Sequence, residues 1–277
     1  MNDNLDQPTD ALSNQTASLI FGDMSLFEEK AVASGSNARV KNKTGELTIQ
    51  FYSNNAIGLY KGVAPTKDEK GKILKRGQIG LTKMDDVLAN VVMAARNDDP
   101  YAYQLLYNLH LASNRFEALM KKCREVLETA VNEKFTGGVG AKLTKDENAP
   151  VFNVFLKTDF GRHIFWKVKE VDQFVLENLF CRQHAIIPRD ASIKLNGGLA
   201  HELRNMYHSA FLWKHTGVTR KDVLENNQVA QRAAELQPHL VLNQGIIDGT
   251  LTTMFAPRIV DRPEDAEPVQ SNNEDTK

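Results

Sequence analysis

KDEKGKILKRGQIGLTK, residues 67–83, is the stretch on which the reading of this chain turns. In its extended part Lys72, Arg76 and Gln78 fall on one side, with Ile73, Ile79 and Leu81 on the other. That is the two-residue period of a strand, although Leu74 and Lys75 interrupt it. Near Thr82 the period changes. Met84, Val87, Leu88, Val91, Val92 and Ala95 share one face of a helix. A cationic strand that runs straight into helices is a way to present a β ribbon to duplex DNA.

Working outward, the pattern restarts at Asp98-Asp99-Pro100, with Asp99 as N-cap and Pro100 in the first helical position. Leu105, Leu106 and Leu109 give this second helix its buried stripe. Asn114 with Glu117 reads as a capping box that opens a third helix. The apolar set of that helix is Phe116, Leu119, Met120, Cys123, Val126, Leu127, Ala130 and Val131. Upstream, GELTIQFYSNNAIGLYKG (residues 45–62) predicts a hairpin in which Leu47, Ile49 and Phe51 alternate inward and Ser53 to Asn55 make the turn.

Downstream, VFNVFLKT (residues 151–158) and RHIFWKV (residues 162–168) predict a second β unit around an Asp159-Phe160-Gly161 turn. A helix begins at Glu170, burying Val171, Phe174, Val175, Leu179 and Phe180. Asn196-Gly197-Gly198 reads as a turn before a helix over residues 199–214. A last helix is capped by Thr219 and Asp222 and stopped near Gln237 by Pro238.

The net charge of −1 conceals an asymmetry. Residues 1–17 carry three acids and no base, and residues 260–277 carry six acids against Arg262 and Lys277. The body between them holds 32 bases and 26 acids, enough for a basic face. We therefore expect acidic disordered tails over 1–17 and 260–277 and a single compact domain over 18–259. Within it, residues 18–32 dock as a short strand and helix, and residues 33–45 form a loop with Arg39, Lys41 and Lys43. The N-terminus lacks a secretory signal and no apolar run is long enough to span a bilayer, so the expected location is cytoplasmic. Cys123 and Cys181 lack a CxxC neighbour and read as small buried hydrophobes.

Catalytic and metal constellations fail on spacing. His201, His208 and His215 recur every seven residues, about 10.5 Å of helix rise, too far for two to share a zinc ion. HExxH is spoiled by Asn205. Gly137 to Lys142 lacks the Gly-Lys-Ser/Thr ending of a phosphate loop, and no GxSxG elbow occurs. The adjacent carboxylates Asp85-Asp86 and Asp98-Asp99 sit at helix starts, where the helix dipole accounts for them. The expectation is a non-enzyme with no cofactor, no metal and no small-molecule substrate.

Basic side chains remain. The first cluster is Lys67, Lys70, Lys72, Lys75, Arg76 and Lys83, with Gln78 beside them. The second is Arg162, His163, Lys167 and Lys169; the third is the Arg39 to Lys43 loop with Thr48 and Gln50. In each, long cationic or amide side chains could reach base edges while flanking lysines hold phosphates.

Three stretches carry a resemblance to a known family: SLIFGDMSLFEEKAV, the hairpin-like segment at 45–62, and NDDPYAYQLLYNL at 97–109. In that order, across most of residues 18–255, the chain resembles the integrating-conjugative-element proteins that include AcaB-type transcriptional activators of conjugative plasmids. The resemblance implies a homodimeric, atypical ribbon-helix-helix protein that binds duplex DNA and activates transfer genes. It carries over no base-reading residue. Ordinary ribbon-helix-helix proteins are much shorter, and their helices are joined by a glycine-containing turn where this chain has Asn97-Asp98-Asp99-Pro100. The expected class is α+β, mainly α: a helical core with small β ribbons, ribbon-helix-helix-like. A non-enzymatic scaffold of the transfer apparatus is the alternative function.

Overall fold

Ser53 sets the path of the chain beyond the first strand. Its hydroxyl accepts the Ala56 N–H at 3.2 Å and so caps a helix rather than closing a hairpin. In the computed structural model, which describes residues 46–135 and 143–258, strand β1 (Thr48–Gln50) leads directly into α1 (Asn54–Lys61). Ala56, Leu59 and Tyr60 recur at helical spacing and are buried, which outweighs the turn chemistry of the Asn pair. The expected partner strand at 56–62 is thus a helix. β1 pairs instead, antiparallel, with β4 (Val151–Asn153), Thr48 opposite Asn153. Ile49 and Phe51 point inward as read, whereas Leu47 is exposed.

After α1 comes a second two-stranded sheet, β2 (Thr66–Lys67) with β3 (Ile73–Lys75). Then α2 (Leu81–Arg96) begins. Leu81, Met84, Leu88, Val91 and Ala95 on its inner face are fully buried, each long side chain contributing about 1.5–3 kcal/mol. The next helix, α3 (Pro100–Lys134), is continuous where the sequence predicts two. Asp99 caps it through bonds from Tyr101 N and Ala102 N. At Asn114 nothing breaks it: Leu109, Ala112, Phe116, Met120, Cys123 and Leu127 keep one buried stripe across the junction, and Asn114 itself is exposed. Val126 lies off the stripe and is exposed.

The second β unit is the larger correction. Past β4, Thr158 accepts the Gly161 N–H and caps α4 (Asp159–Gln183), so Asp159-Phe160-Gly161 is a first helical turn. Phe160, Ile164, Phe165, Val168 and Val171 are all buried, and their spacing is that of a helix face. β-branched and aromatic content suggests strands; burial periodicity overrides it. α5 (Arg189–Leu212) likewise starts ten residues before the expected helix and contains Gly197 and Gly198. Asn178 on α4 holds it there, donating to Ser192 O and Asn196 Oδ1.

The Thr219–Asp222 capping box forms as read, but its helix, α6 (Arg220–Glu225), ends at Asn226 in the left-handed region. Asn227 caps a separate α7 (Gln228–Leu236), which precedes a short α8 (Gln244–Ile247). The four long helices α2 to α5 pack on one another around one apolar cluster, with α1 against α4 and α8 against α3. Cys123 and Cys181 are free, buried thiols whose pKa values burial pushes up.

The paired aspartates do more than oppose helix dipoles. Asp85, buried on α2, accepts from Lys157 N, Thr158 N and Thr158 Oγ1 at 2.5, 3.1 and 2.5 Å, bolting α2 to the start of α4. A Cβ at Gly161 would overlap that carboxylate, so the junction requires glycine. Asp86 pairs with Lys157, and Asp98 with Arg220. Among the described residues no helix is long and apolar enough to cross a membrane. The expected tails, the elements at 18–32, the loop with Arg39, Lys41 and Lys43, and the run from Gly137 to Lys142 lie outside the described residues.

Candidate nucleic-acid interface

The segment between α1 and α2 folds back on itself as a β hairpin. Its tip is Asp68-Glu69-Lys70-Gly71-Lys72. Asp68 N donates to Lys72 O at 2.9 Å, Gly71 N to Asp68 O at 3.0 Å, and Gly71 takes φ +79°. This is a three-residue loop whose left-handed position calls for glycine. The Asp68 carboxylate fastens it from inside, accepting the N–H groups of Lys70 and Lys72 at 3.0 and 2.7 Å. Thr66 faces Lys75 and Lys67 faces Ile73, with an irregularity in register between them.

The base is a close crossing of backbones. Val63 and Gln78 exchange both N–H···O bonds, at 2.9 and 2.8 Å. Gly62, the C-cap of α1, and Gly80, the N-cap of α2, meet there. A Cβ on Gly80 would overlap the backbone of Lys61 and Gly62, and one on Gly62 would crowd Gln78 O. An isolated two-stranded hairpin is marginal in water. This one is held at both ends by helices rooted in the core.

All of β2 and β3 is exposed. Lys67, Lys70, Lys72, Lys75, Arg76 and Gln78 are exposed, and among the described residues none of their side chains enters a hydrogen bond or an ion pair. Lys83, in the first turn of α2, is exposed and helps hold the Asp86 carboxyl below its ordinary value, after the larger effect of the Lys157 hydrogen bond. Ile73, expected to join Ile79 and Leu81 on an inner side, is instead 55% exposed, beside Leu74 at 63%. Only Ile79 and Leu81 reach the core. A two-stranded ribbon with exposed cations has the width to enter a major groove about 12 Å across.

The second cluster is not a ribbon, since its residues lie on α4 and are engaged. Arg162 pairs with Asp159 at 2.5 Å and donates to Leu156 O. Lys167, buried, pairs with Glu117 on α3, whose carboxyl this hydrogen bond holds below its usual range. Lys169 pairs with buried Asp172 at 3.1 Å. His163 Nε2 lies 2.9 Å from Ser113 Oγ, and burial lowers its pKa. Of the third cluster, Gln50 binds Ala149 O and Glu147 O. The histidine series is also broken up: His215 lies beyond the end of α5, and His201 and His208 are exposed.

The chain thus runs from a cationic ribbon into α2 and then the long α3. The family described as transcriptional regulator AcaB matches residues 42–260. The chain belongs to the AcaB family of transcriptional regulators. Neither a curated protein nor a solved structure matches it. The AcaB match spans every described element, the ribbon included. Sequence reasoning placed the ribbon's cations but missed the residues that shape it: Asp68, Gly71, Gly62 and Gly80. The signal was present in Asp68 to Gly71, an acid three residues before a glycine between extended runs.

Proposed function

We propose that this regulator binds duplex DNA sequence-specifically, as a homodimer, by inserting the β2–β3 ribbon into the major groove. The observation that carries this reading is the ribbon's inventory: five exposed cations within residues 67–76, none with an acidic partner among the described residues. Lys72, Arg76 and Gln78 are assigned to base edges, where Arg and Gln can bond in bidentate fashion. Lys67, Lys70, Lys75 and Lys83 are assigned to phosphates, which fix register without reading sequence. Dimerisation is supported by the ribbon's outer edges and by Ile73 and Leu74, since an unpaired edge with exposed apolar residues is a template for a second chain. One edge of β3 is already occupied by β2, so a partner would add to a ribbon complete in each subunit.

The genes controlled are, on the resemblance to activators from conjugative elements, those for conjugative transfer, and the effect is activation. A shift assay on promoter fragments of the chain's own element, at two salt concentrations, tests this reading. Specific binding that weakens with salt is expected. No binding to any such fragment, with co-purification of a transfer protein, would replace it with the scaffold reading.

A further inference from the structure

Between the start of α1, the end of α4 and the first half of α5 lies a cavity of about 510 Å³. Val175, Leu179 and Ile193 give it an apolar wall, and Arg182 and Arg204 border it. Gly197 faces open space, with nothing within 4 Å of where a Cβ would stand. The volume falls within the range of small-molecule sites, roughly 300–1,000 Å³.

The arginines set this cavity apart. Among the described residues neither enters an ion pair, and Arg204 Nε is sealed from solvent with no hydrogen-bond acceptor in reach. Buried donors are almost always paired, so the Nε is unusual, while Arg204 as a whole is only partly buried and borders the cavity. Burial accordingly lowers the Arg204 pKa from its usual value. By contrast Arg220, also partly buried, has the Asp98 carboxylate and Ile246 O as acceptors. The start of α1 adds two donors. Asn54 and Asn55 line the cavity, their N–H groups have no carbonyl one turn earlier, and the first turn holds no acid. Asp172, which takes Tyr52 N and Ser53 N behind this turn, is itself matched by Lys169.

We propose that this cavity binds a small organic oxyanion, its phosphate or carboxylate held by Arg204, Arg182 and the start of α1, and its apolar part against Val175, Leu179 and Ile193. Phosphate and carboxylate share the acceptor geometry that a guanidinium fork matches. α1 is eight residues long, about 12 Å, and runs from this cavity to Gly62 at the base of the ribbon. A ligand here would sit one short helix away from the candidate DNA interface, the place for an effector.

Calorimetric titration of the full chain with inorganic phosphate, AMP and phenylacetate, with uncharged adenosine as control, tests the site. Saturable binding of at least one anion and none of adenosine is expected; whichever of AMP or phenylacetate binds identifies the anionic group. Arg204→Gln should weaken that binding at least tenfold. Should that variant misfold, Arg182→Gln, at an exposed position, should show the loss with the fold intact. Absence of saturable binding by all three anions, or equal binding by folded variants, would overturn the proposal. So would a DNA salt dependence made shallower by Arg182→Gln without anion binding, since the arginines would then be phosphate contacts on DNA. The titration needs no DNA, so its failure is separable from failure of the ribbon reading.

Discussion

On the β2–β3 ribbon Lys67, Lys70, Lys72, Lys75 and Arg76 are exposed and unpaired among the described residues, whereas on α4 Arg162, Lys167 and Lys169 each close an ion pair. The two regions carry the same residue types, and both read as cationic ribbons in sequence. What separates them is the counter-charge. Asp159 and Asp172 pair with α4 cations one turn along the same helix and Glu117 ties Lys167 to α3, whereas the ribbon's cations have no acidic partner among the described residues. A basic cluster points to nucleic acid only after its internal partners have been subtracted.

The sharpest way to break this comparison is to treat the two regions alike. Asp172 is fully buried and accepts Tyr52 N, Ser53 N and Lys169 Nζ. Asp172→Ala leaves two backbone donors without their acceptor and should cost about 3–5 kcal/mol in urea unfolding. Any molecules that remain folded should bind DNA as the parent does. A milder loss of about 1–3 kcal/mol is expected for Gly80→Ala, which forces a methyl into the hairpin's base. This substitution should also impair DNA binding, because it re-aims the ribbon. Intact binding by folded Gly80→Ala would show that the ribbon's posture is irrelevant. Lys67→Ala and Lys70→Ala should leave stability within about 0.5 kcal/mol. Each should weaken binding to all sequences and lower the log–log salt slope by about 0.9.

The smallest effect is on pH. Burial lowers the His163 pKa, and the Lys167 hydrogen bond lowers that of Glu117. In both cases the folded state binds fewer protons than the unfolded state as the solution is acidified. The His163 contribution is complete above its ordinary value of 6.5 and is lost as pH falls below it. The Glu117 contribution is complete above 4.5 and is lost as pH falls through the depressed folded value. Asp99 opposes them: burial raises its pKa, so protonation at low pH relieves a cost of folding. Between about pH 7.5 and 5.5 the parent should lose stability, and His163→Gln should flatten that decline; an unchanged slope would refute the assignment.

Much of the fold was legible, and the misses share a cause. The stripe from Met84 to Ala95 and the Asp99-Pro100 start were read correctly because periodicity and capping agreed there. At Asn114, and at Asp159 to Val168, local signals pointed to a boundary or to strands while the buried stripe continued beneath them. Tertiary burial of Phe116, Phe160, Ile164 and Phe165 decided both, and propensity does not encode it. Of the candidate site, charge showed the cations and Asp68 to Gly71 contained the turn. The meeting of Gly62 and Gly80, eighteen positions apart, was invisible without the crossing of the two backbones. Nor could the sequence say which cations were already paired, because Asp172 reaches Lys169 only once this segment is a helix, and Glu117 reaches Lys167 only when α4 is placed against α3.

Whether the ribbon reads DNA is tested most directly at Arg76. With folding and oligomeric state verified, Arg76→Ala should lose about 1–3 kcal/mol of specific affinity, with relaxed preference at one base position per half-site. If Arg76→Ala binds the operator as tightly and as selectively as the parent protein, the ribbon is not the reading element.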